Sequence, residues 1–197
     1  MKLIAVTTLI LLVFSCTNVT RPSYVELNPD IRITNSNIGN SKKIRLNFAK
    51  IDPTISYFKE NQLGYKVRET LLYSKTSTGI FSNNRLIDVL ENNFTNWFKT
   101  NGFKITKENS FDKEIDIKLG YYSFQPISFI KLPKTRFAIK ITVLDSKKQK
   151  IFSKWYFYEK NHDNFIGNND ENEIHINNSI KYLIEEIFKD DNFIYKI

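Results

Sequence analysis

Apolar residues recur at every third or fourth position in two stretches of the chain, a pattern that predicts two amphipathic helices. The first stretch covers residues 83–99, with Ser82 or Asn83 as a cap at its start and Gly102 where a helix often ends. The second covers residues 173–189, and acidic residues at its start favour the positive end of the helix dipole. Each helix should therefore bury one face and expose the other.

Alternation of apolar and polar residues marks further segments and predicts strands with one buried and one wet face. These segments are residues 43–48, 65–70, 115–122, 136–143 and 151–159. The polar run at 145–149 has the length of a hairpin turn. The order β-β-α-β-β-β-α predicts an α+β fold: a two-layer domain with a mixed or antiparallel sheet of about four or five strands, covered on one face by two helices.

A twelve-residue apolar run at positions 3–14 follows the positively charged start of the chain. Spanning a bilayer takes about 20 apolar residues, so this run is typical of a signal peptide. Cleavage is expected between Ser15 and Cys16. The other interpretation is a buried N-terminal helix, which does not explain why polar chain follows at once.

Cys16 is the only cysteine, which excludes an intrachain disulfide and a zinc site built from several thiolates. Residues 13–16 (Val-Phe-Ser-Cys) resemble a bacterial lipobox, in which the cysteine sulfur forms a thioether to diacylglycerol. Cys16 is therefore the candidate lipidation site, and its covalent lipid is the only cofactor expected. Thr17 stands where an aspartate tends to retain lipoproteins in the inner membrane, so the outer membrane facing the periplasm is favoured. An accidental free thiol is the alternative.

The chain thus divides into three parts. Residues 1–15 are the signal peptide, residues 16–29 form a lipidated tether, and residues 30–197 form a single globular α+β domain. The tether has no sustained apolar period and would reach about 40 Å at full extension.

Positive charge is concentrated in the segment from Lys131 to Lys160, which holds nine basic and two acidic residues. Its net charge of +7 equals that of the chain after removal of the signal peptide. The candidate anionic contact consists of Arg136, Lys140, Lys147, Lys148, Lys150 and Lys154. Lys150, Lys154, Tyr156 and Tyr158 are expected on one strand face. Anionic lipid head groups or an acidic envelope protein are the expected partners, and no nucleic acid is expected in the periplasm. The alternative is a solvated face in a lysine-rich chain.

No sequence motif of a metalloprotease, a nucleophile elbow or a phosphate-binding loop occurs, so no catalytic and no metal-binding residues are assigned. His162 and His175 are interpreted as two solvated histidines. Asp112, Glu114 and Asp116 are interpreted as one wet face of a strand. Trp97 and Phe98 belong to the apolar stripe of the first helix.

The distribution of these features resembles the YajG-like family of bacterial lipoproteins over residues 29–190. The matching features are the cysteine and its tether, the entry Pro-Asp-Ile-Arg-Ile at 29–33, the helix Asn-Arg-Leu-Ile-Asp-Val-Leu-Glu at 84–91, the junction Thr-Asn-Gly-Phe at 100–103, the strand ending in Tyr121-Tyr122, the long hairpin, and a last helix after the Asn-rich loop 161–172. The resemblance implies an outer-membrane lipoprotein and its fold, without a mechanism.

The function expected from the sequence is that of a non-enzymatic envelope lipoprotein that is anchored by lipidated Cys16 and binds or scaffolds envelope components. One alternative is an auxiliary subunit of an envelope transport or assembly machine. Another is a hydrolase of envelope polymers, which would show a pocket with clustered carboxylates.

Overall fold

The computed structural model describes residues 22–50, 61–69, 75–125, 134–162 and 169–197. The strands are β1 Ser23–Val25, β2 Lys43–Lys50, β3 Gln62–Glu69, β4 Lys75–Ser82, β5 Lys104–Ile105, β6 Lys113–Gln125, β7 Lys134–Asp145 and β8 Lys150–Asn161. The helices are α1 Leu86–Thr100, α2 Asn169–Phe188 and α3 Asp191–Lys196. No helix among these residues is long and apolar enough to cross a bilayer.

All eight strands belong to one mixed sheet organised around the long strand β6. On one side β6 pairs antiparallel with β7, which pairs with β8. On the other side it pairs parallel with β2 and, near its end, with β3. Strands β4 and β1 extend the sheet beyond β3, and β5 lies beside β2.

The α+β class is confirmed, but the expected four or five strands are wrong. The three strands that the sequence pattern did not predict are β1, β4 and β5. Strands β1 and β5 have three and two residues, too few to show a period. Strand β4 (Lys-Thr-Ser-Thr-Gly-Ile-Phe-Ser) is mostly polar and pairs with β1 and β3 by its backbone. Pairing geometry rather than apolar alternation therefore defines these strands.

The core lies between the sheet and helices α1 and α2. Its sheet side includes the buried Ile115 and Ile117 of β6 and Phe137, Ile139, Ile141 and Val143 of β7. Phe94 of α1 meets Phe48 of β2 edge to face at 6.2 Å and Phe188 of α2 at 5.0 Å. The two helices therefore share one layer on one face of the sheet, as the sequence predicts.

The helix ends differ from the expected ones. Arg85, and neither Ser82 nor Asn83, is the N-cap residue of α1, and it makes no capping hydrogen bond with its side chain. Gly102 follows the helix with φ of 85°, the left-handed conformation that favours glycine. Helix α2 begins at Asn169, four residues before the expected start. Helix α3 was not predicted; Asp190 caps it by accepting from the Asn192 N–H at 2.9 Å.

The second half of the expected tether belongs to the folded body. Strand β1 pairs parallel with β4, and Val25 and Leu27 are 1% and 2% exposed. The boundary at residue 29 is therefore wrong. The segment after β1 (residues 26–32) lies along α2. Four side chains of α2 bind this segment: three contact its backbone, and one contacts the side chain of Asp30. These side chains, four residues apart, are Glu173 (to Glu26 N), Asn177 (to Asn28 N and Glu26 O), Lys181 (to the Asp30 carboxylate) and Glu185 (to Arg32 N). Residues 1–21, with the signal peptide and Cys16, lie outside the described residues.

Candidate functional site

The basic hairpin, defined here as β7, β8 and the turn between them, is closed by Asp145. Its Oδ1 accepts from the backbone N–H groups of Lys147 and Gln149 at 2.9 and 2.8 Å. Its backbone carbonyl accepts from the Lys148 N–H at 2.9 Å. Lys148 has φ of 62°, a left-handed conformation in which glycine or asparagine is usual. Lys148 thus occupies a turn position whose backbone conformation favours glycine.

Three of the six candidate cations form the hairpin tip, which consists of Lys147, Lys148 and Lys150. All three are exposed. Within the described part of the chain, none of them has a carboxylate within ion-pair distance. The tip is therefore a small cationic surface whose ammonium groups have no ion-pair partner among the described residues, and the Asp145 carboxylate of the turn binds backbone N–H groups instead.

The other three cations are divided between the two faces of the sheet. Arg136 bonds to Glu159 at 3.1 Å, and Lys134 joins the same carboxylate. These contacts hold the pKa of Glu159 below its usual range, chiefly through the hydrogen bond from Lys134. Lys154 lies on the helix side and bonds to Asp190 at 2.7 Å.

Lys140 lies on the face away from the helices, with its Nζ 5.7 Å from the centre of the Trp155 ring. Lys154, Tyr156 and Tyr158 share one face of β8 as expected, since they lie opposite Ile141, Ile139 and Phe137, whereas Lys150 lies beyond a register shift. This face is turned towards the helices, where Tyr156 is buried and Lys154 pairs with an acid 36 residues away.

A groove of about 420 Å³ lies between β8 and helices α2 and α3. Its lining includes Lys154, Tyr156, Tyr182, Glu185, Glu186, Lys189 and Asp190. The buried Tyr156 donates its hydroxyl to Asp190 at 2.6 Å. Sequence patterns do not predict this groove, because its lining joins β8 to the start of α3, a helix that they do not predict either.

Asp190 is ionised in the groove. Partial burial acts to raise its pKa, but hydrogen bonds from Lys154, Tyr156 and the Asn192 N–H outweigh that effect and lower it. Burial, followed by the hydrogen bond and charge of Asp190, raises the pKa of Tyr156. Glu185 accepts from the Arg32 N–H at 3.2 Å and faces Lys189 at 3.7 Å. The groove does hold clustered carboxylates, but Asp190 and Glu185 have structural partners, and Asp190 is a poor proton donor near neutral pH.

The two histidines are close together, contrary to the expectation of two solvated side chains. Their rings are 4.3 Å apart, and His162 is buried with its Nε2 2.8 Å from the Thr135 hydroxyl. Burial, with the charge of Lys160, lowers the pKa of His175. Among the described residues no three histidine, cysteine or acidic side chains are grouped as metal ligands would be.

The strand carboxylates also differ from a simple wet face. Glu114 is buried and bonds to Arg45 at 2.5 Å and to the Asn47 amide at 2.6 Å. Asp116 accepts from the same amide at 2.9 Å, and the exposed Asp112 accepts from the Lys43 N–H at 2.7 Å. These acids tie β2 to β6. Trp97 lies in the core as expected, stacked on Phe188 at 4.4 Å, and Phe98 is fully buried.

Fold and hairpin together define a two-layer α+β domain with a projecting cationic turn. A family model described as uncharacterized lipoprotein, Lipoprotein_16, matches residues 73–197. The chain belongs to this lipoprotein family, which confirms the resemblance to YajG-like bacterial lipoproteins and associates the chain with the cell envelope.

Among solved structures, protein XCC0632 of Xanthomonas campestris (family-model DUF330) aligns with a TM-score of 0.60 at 12% identity, over 84% of this chain and 92% of that one. At that identity the likeness shows the shared fold. A minor lipoprotein of Acinetobacter baumannii aligns with a TM-score of 0.42 at 11% identity, over 75% of this chain and 90% of that one. No curated protein sequence matches the chain.

Proposed function

We propose that this lipoprotein is anchored by lipidated Cys16 at the outer membrane, faces the periplasm, and binds or scaffolds an anionic envelope component through the hairpin tip without catalysing a reaction. The observation that carries the contact is the exposed tip, Lys147, Lys148 and Lys150, which makes no ion pair within the described parts of the chain, with Lys148 in a left-handed conformation.

The conformation of Lys148 supports a role beyond folding. A non-glycine residue in this region is strained by about 1 kcal/mol or more. Glycine would relieve that strain and still close the turn, since the turn is held by backbone bonds and by Asp145. A lysine here is therefore better explained by what its ammonium group contacts than by the stability of the turn.

Charge gives the expected strength of the contact. A lysine near an anionic surface contributes about 1 kcal/mol, so three contribute up to about 3 kcal/mol at low salt. Because the tip is exposed, this attraction is screened beyond about 8 Å at physiological ionic strength. The contact should therefore weaken steeply with salt.

The anchor is tested by Cys16→Ala, with Ser15 left unchanged. Loss of the acyl chains should move the protein from the membrane to the soluble fraction or leave the precursor unprocessed, because stable anchoring needs several buried acyl chains. Mass spectrometry of the wild-type protein should show the added lipid. Membrane fractionation of a Cys16→Ala variant that has nevertheless lost residues 1–15, or wild-type protein that carries no lipid, would refute the anchor.

The hairpin contact is tested with a photoreactive residue at Gln149, which lies in the exposed turn. Crosslinking in intact cells should give adducts that disappear with the triple reversal Lys147→Glu, Lys148→Glu, Lys150→Glu. The matched control reverses three other exposed lysines without ion pairs in the described structure, Lys104, Lys107 and Lys196. Identical adducts in all three proteins would show that the tip makes no specific contact.

Lys148→Gly separates contact from stability. It should leave the protein as stable or more stable, since glycine suits φ of 62°, and yet reduce the Gln149 crosslink.

A stoichiometric adduct with an integral membrane protein would instead identify an auxiliary subunit of a transport or assembly machine.

A further inference from the structure

The face of the sheet opposite the helices carries an ordered patch at β6, β7 and β8. The strand register sets two neighbouring rows. In the first row Lys118 of β6 lies opposite Lys140 of β7, which lies opposite Trp155 of β8. In the second row Tyr121 lies opposite Ala138, which lies opposite Phe157. We call these residues the outer patch.

Gly120 makes the patch possible. It lies at the register shift between Leu119 and Tyr121, and a Cβ placed on it would come within 2.6 Å of the Trp155 indole. The indole therefore lies against bare backbone, and the shift brings Tyr121 to the outer face beside it. Any side chain at position 120 would displace Trp155.

Two like charges face each other in the first row. Directly opposed residues of an antiparallel pair have Cβ atoms about 5 Å apart, and like charges there destabilise the sheet. In the described structure neither Lys118 nor Lys140 has a carboxylate within ion-pair distance, and the neighbouring Glu159 is taken by Lys134 and Arg136. An anion placed between the two ammonium groups would turn this repulsion into attraction.

The aromatic side chains beside the lysines are exposed. Tyr121, Trp155 and Phe157 are 38%, 37% and 59% exposed, and the rings of Trp155 and Phe157 stack at 5.8 Å. The floor between them, Ala138, is fully buried beneath them. Aromatic rings next to lysines are the combination that suits the boundary between lipid head groups and acyl chains.

We propose that the outer patch rests on an anionic phospholipid surface, with head-group phosphates between Lys118 and Lys140 and the three aromatic rings at head-group depth. This proposal rests on the proposed anchoring at Cys16. The seven residue steps from Cys16 to Ser23 reach about 24 Å at full extension. The five strand spacings from β1 to β8 also cover about 24 Å. A tether no longer than the sheet is wide keeps the folded body close to the membrane, so that this face can contact it.

Trp155 reports directly on this contact, because the only other tryptophan, Trp97, is buried in the core. The mature lipidated protein is inserted into vesicles of phosphatidylcholine carrying bromine on the acyl chains, with or without 30% phosphatidylglycerol. Trp155 emission should be quenched with phosphatidylglycerol and much less without it. Quenching should be lost in 0.5 M NaCl. Trp155→Phe gives the background from Trp97.

Reversal of both patch lysines (Lys118→Glu, Lys140→Glu) should weaken the association of this face with anionic vesicles about tenfold or more. The hairpin-tip triple reversal is the matched control and should leave Trp155 quenching in place. A milder pair, Lys118→Gln and Lys140→Gln, keeps the test valid if the reversed pair fails to fold. Circular dichroism checks the fold of each variant.

Three results would overturn the proposal: equal quenching on neutral and anionic vesicles, quenching that depends on the hairpin tip and not on the patch lysines, or shielding of Trp155 that rises with protein density, which would indicate a second copy on the patch. Mass spectrometry reports acylation of Cys16 separately. A failure of the anchor and a failure of the outer patch are therefore distinguishable.

Discussion

Asp190→Ala removes three interactions at once, because this carboxylate caps α3, accepts from the buried Tyr156 hydroxyl at 2.6 Å and pairs with Lys154 at 2.7 Å. The three partners come from β8 and from the start of α3, so the side chain joins the last helix to the edge of the sheet. Its loss should destabilise the fold without disturbing the apolar core.

The magnitude follows from the environment of each partner. Loss of an N-cap side chain costs about 1 kcal/mol. Tyr156 is 2% exposed, so its hydroxyl is left unsatisfied at a cost of about 1–3 kcal/mol. Lys154 is 48% exposed, so its ion pair adds at most about 1 kcal/mol. The free energy of unfolding should fall by about 2–5 kcal/mol in total.

Urea unfolding of the purified mature protein, followed by circular dichroism, measures this change. Asp190→Asn should lose less, since asparagine caps helices well and still accepts a hydrogen bond. Tyr156→Phe should cost about 1–3 kcal/mol, because it removes one hydrogen bond to a charged group while leaving no buried hydroxyl unpaired. Asp191→Ala, an exposed acid of the same helix turn, is the matched control and should change stability by less than about 1 kcal/mol.

The pH dependence gives a second check. The pKa of Asp190 is lowered in the folded protein, so its contribution is fully present above its ordinary pKa of 3.8 and is lost as pH falls through the lower folded value. The difference between wild type and Asp190→Ala should therefore stay constant from pH 5 to pH 8. A loss below 1 kcal/mol, or a loss equal to that of Asp191→Ala, would refute this account of the groove.

Two further changes test other parts of the fold. Gly102→Ala should destabilise by about 1–3 kcal/mol in thermal or urea unfolding, because φ is 85° and a Cβ would come within 2.3 Å of Asn37 Oδ1; an unchanged midpoint would contradict the left-handed helix end. For His175, burial lowers the pKa in the folded state, so its contribution is complete above the unfolded pKa of about 6.5 and is lost as pH falls below it. Stability should decrease between pH 7 and pH 5 less steeply in His175→Gln than in wild type, and parallel curves would show that this histidine is not involved.

The sequence was sufficient to predict the parts of the fold in which a side-chain period is long. The predicted alternation covers residues 115–122 of β6 and 136–143 of β7, which are 13 and 12 residues long, and helix α1 carries a continuous apolar stripe. The sequence was insufficient to predict β4, because this strand is held by pairing with β1 and β3 and contains too few apolar residues to show an alternating pattern. A three-residue strand such as β1 has no period at all, so a segment that reads as tether is in fact paired.

For the charged residues of the candidate site, too, the sequence predicts only part of what the structure shows. The spacing of Lys147, Lys148 and Lys150 around a turn is enough to predict an exposed tip, and the tip is exposed. Spacing along a strand does not reveal that Lys154 meets an acid 36 residues away. Predicting the outer patch requires the register between β6, β7 and β8, because a single-residue shift at Gly120 turns Tyr121 outward. Local pattern therefore predicts exposure, whereas partners depend on tertiary geometry.

The bonds between the N-terminal segment and α2 have a consequence for how this protein is made. Their partners are 147 to 153 residues apart, and the acceptors and donors that α2 supplies lie between Glu173 and Glu185. The backbone of residues 26–32 therefore has no native partner on α2 until nearly the whole chain has been synthesised. Closure of so large a loop is late and entropically unfavourable until the sheet has assembled. These contacts with α2 are thus among the last to form, whereas β1 and Leu27 have partners, in β4 and at Asn84, only 57 residues away.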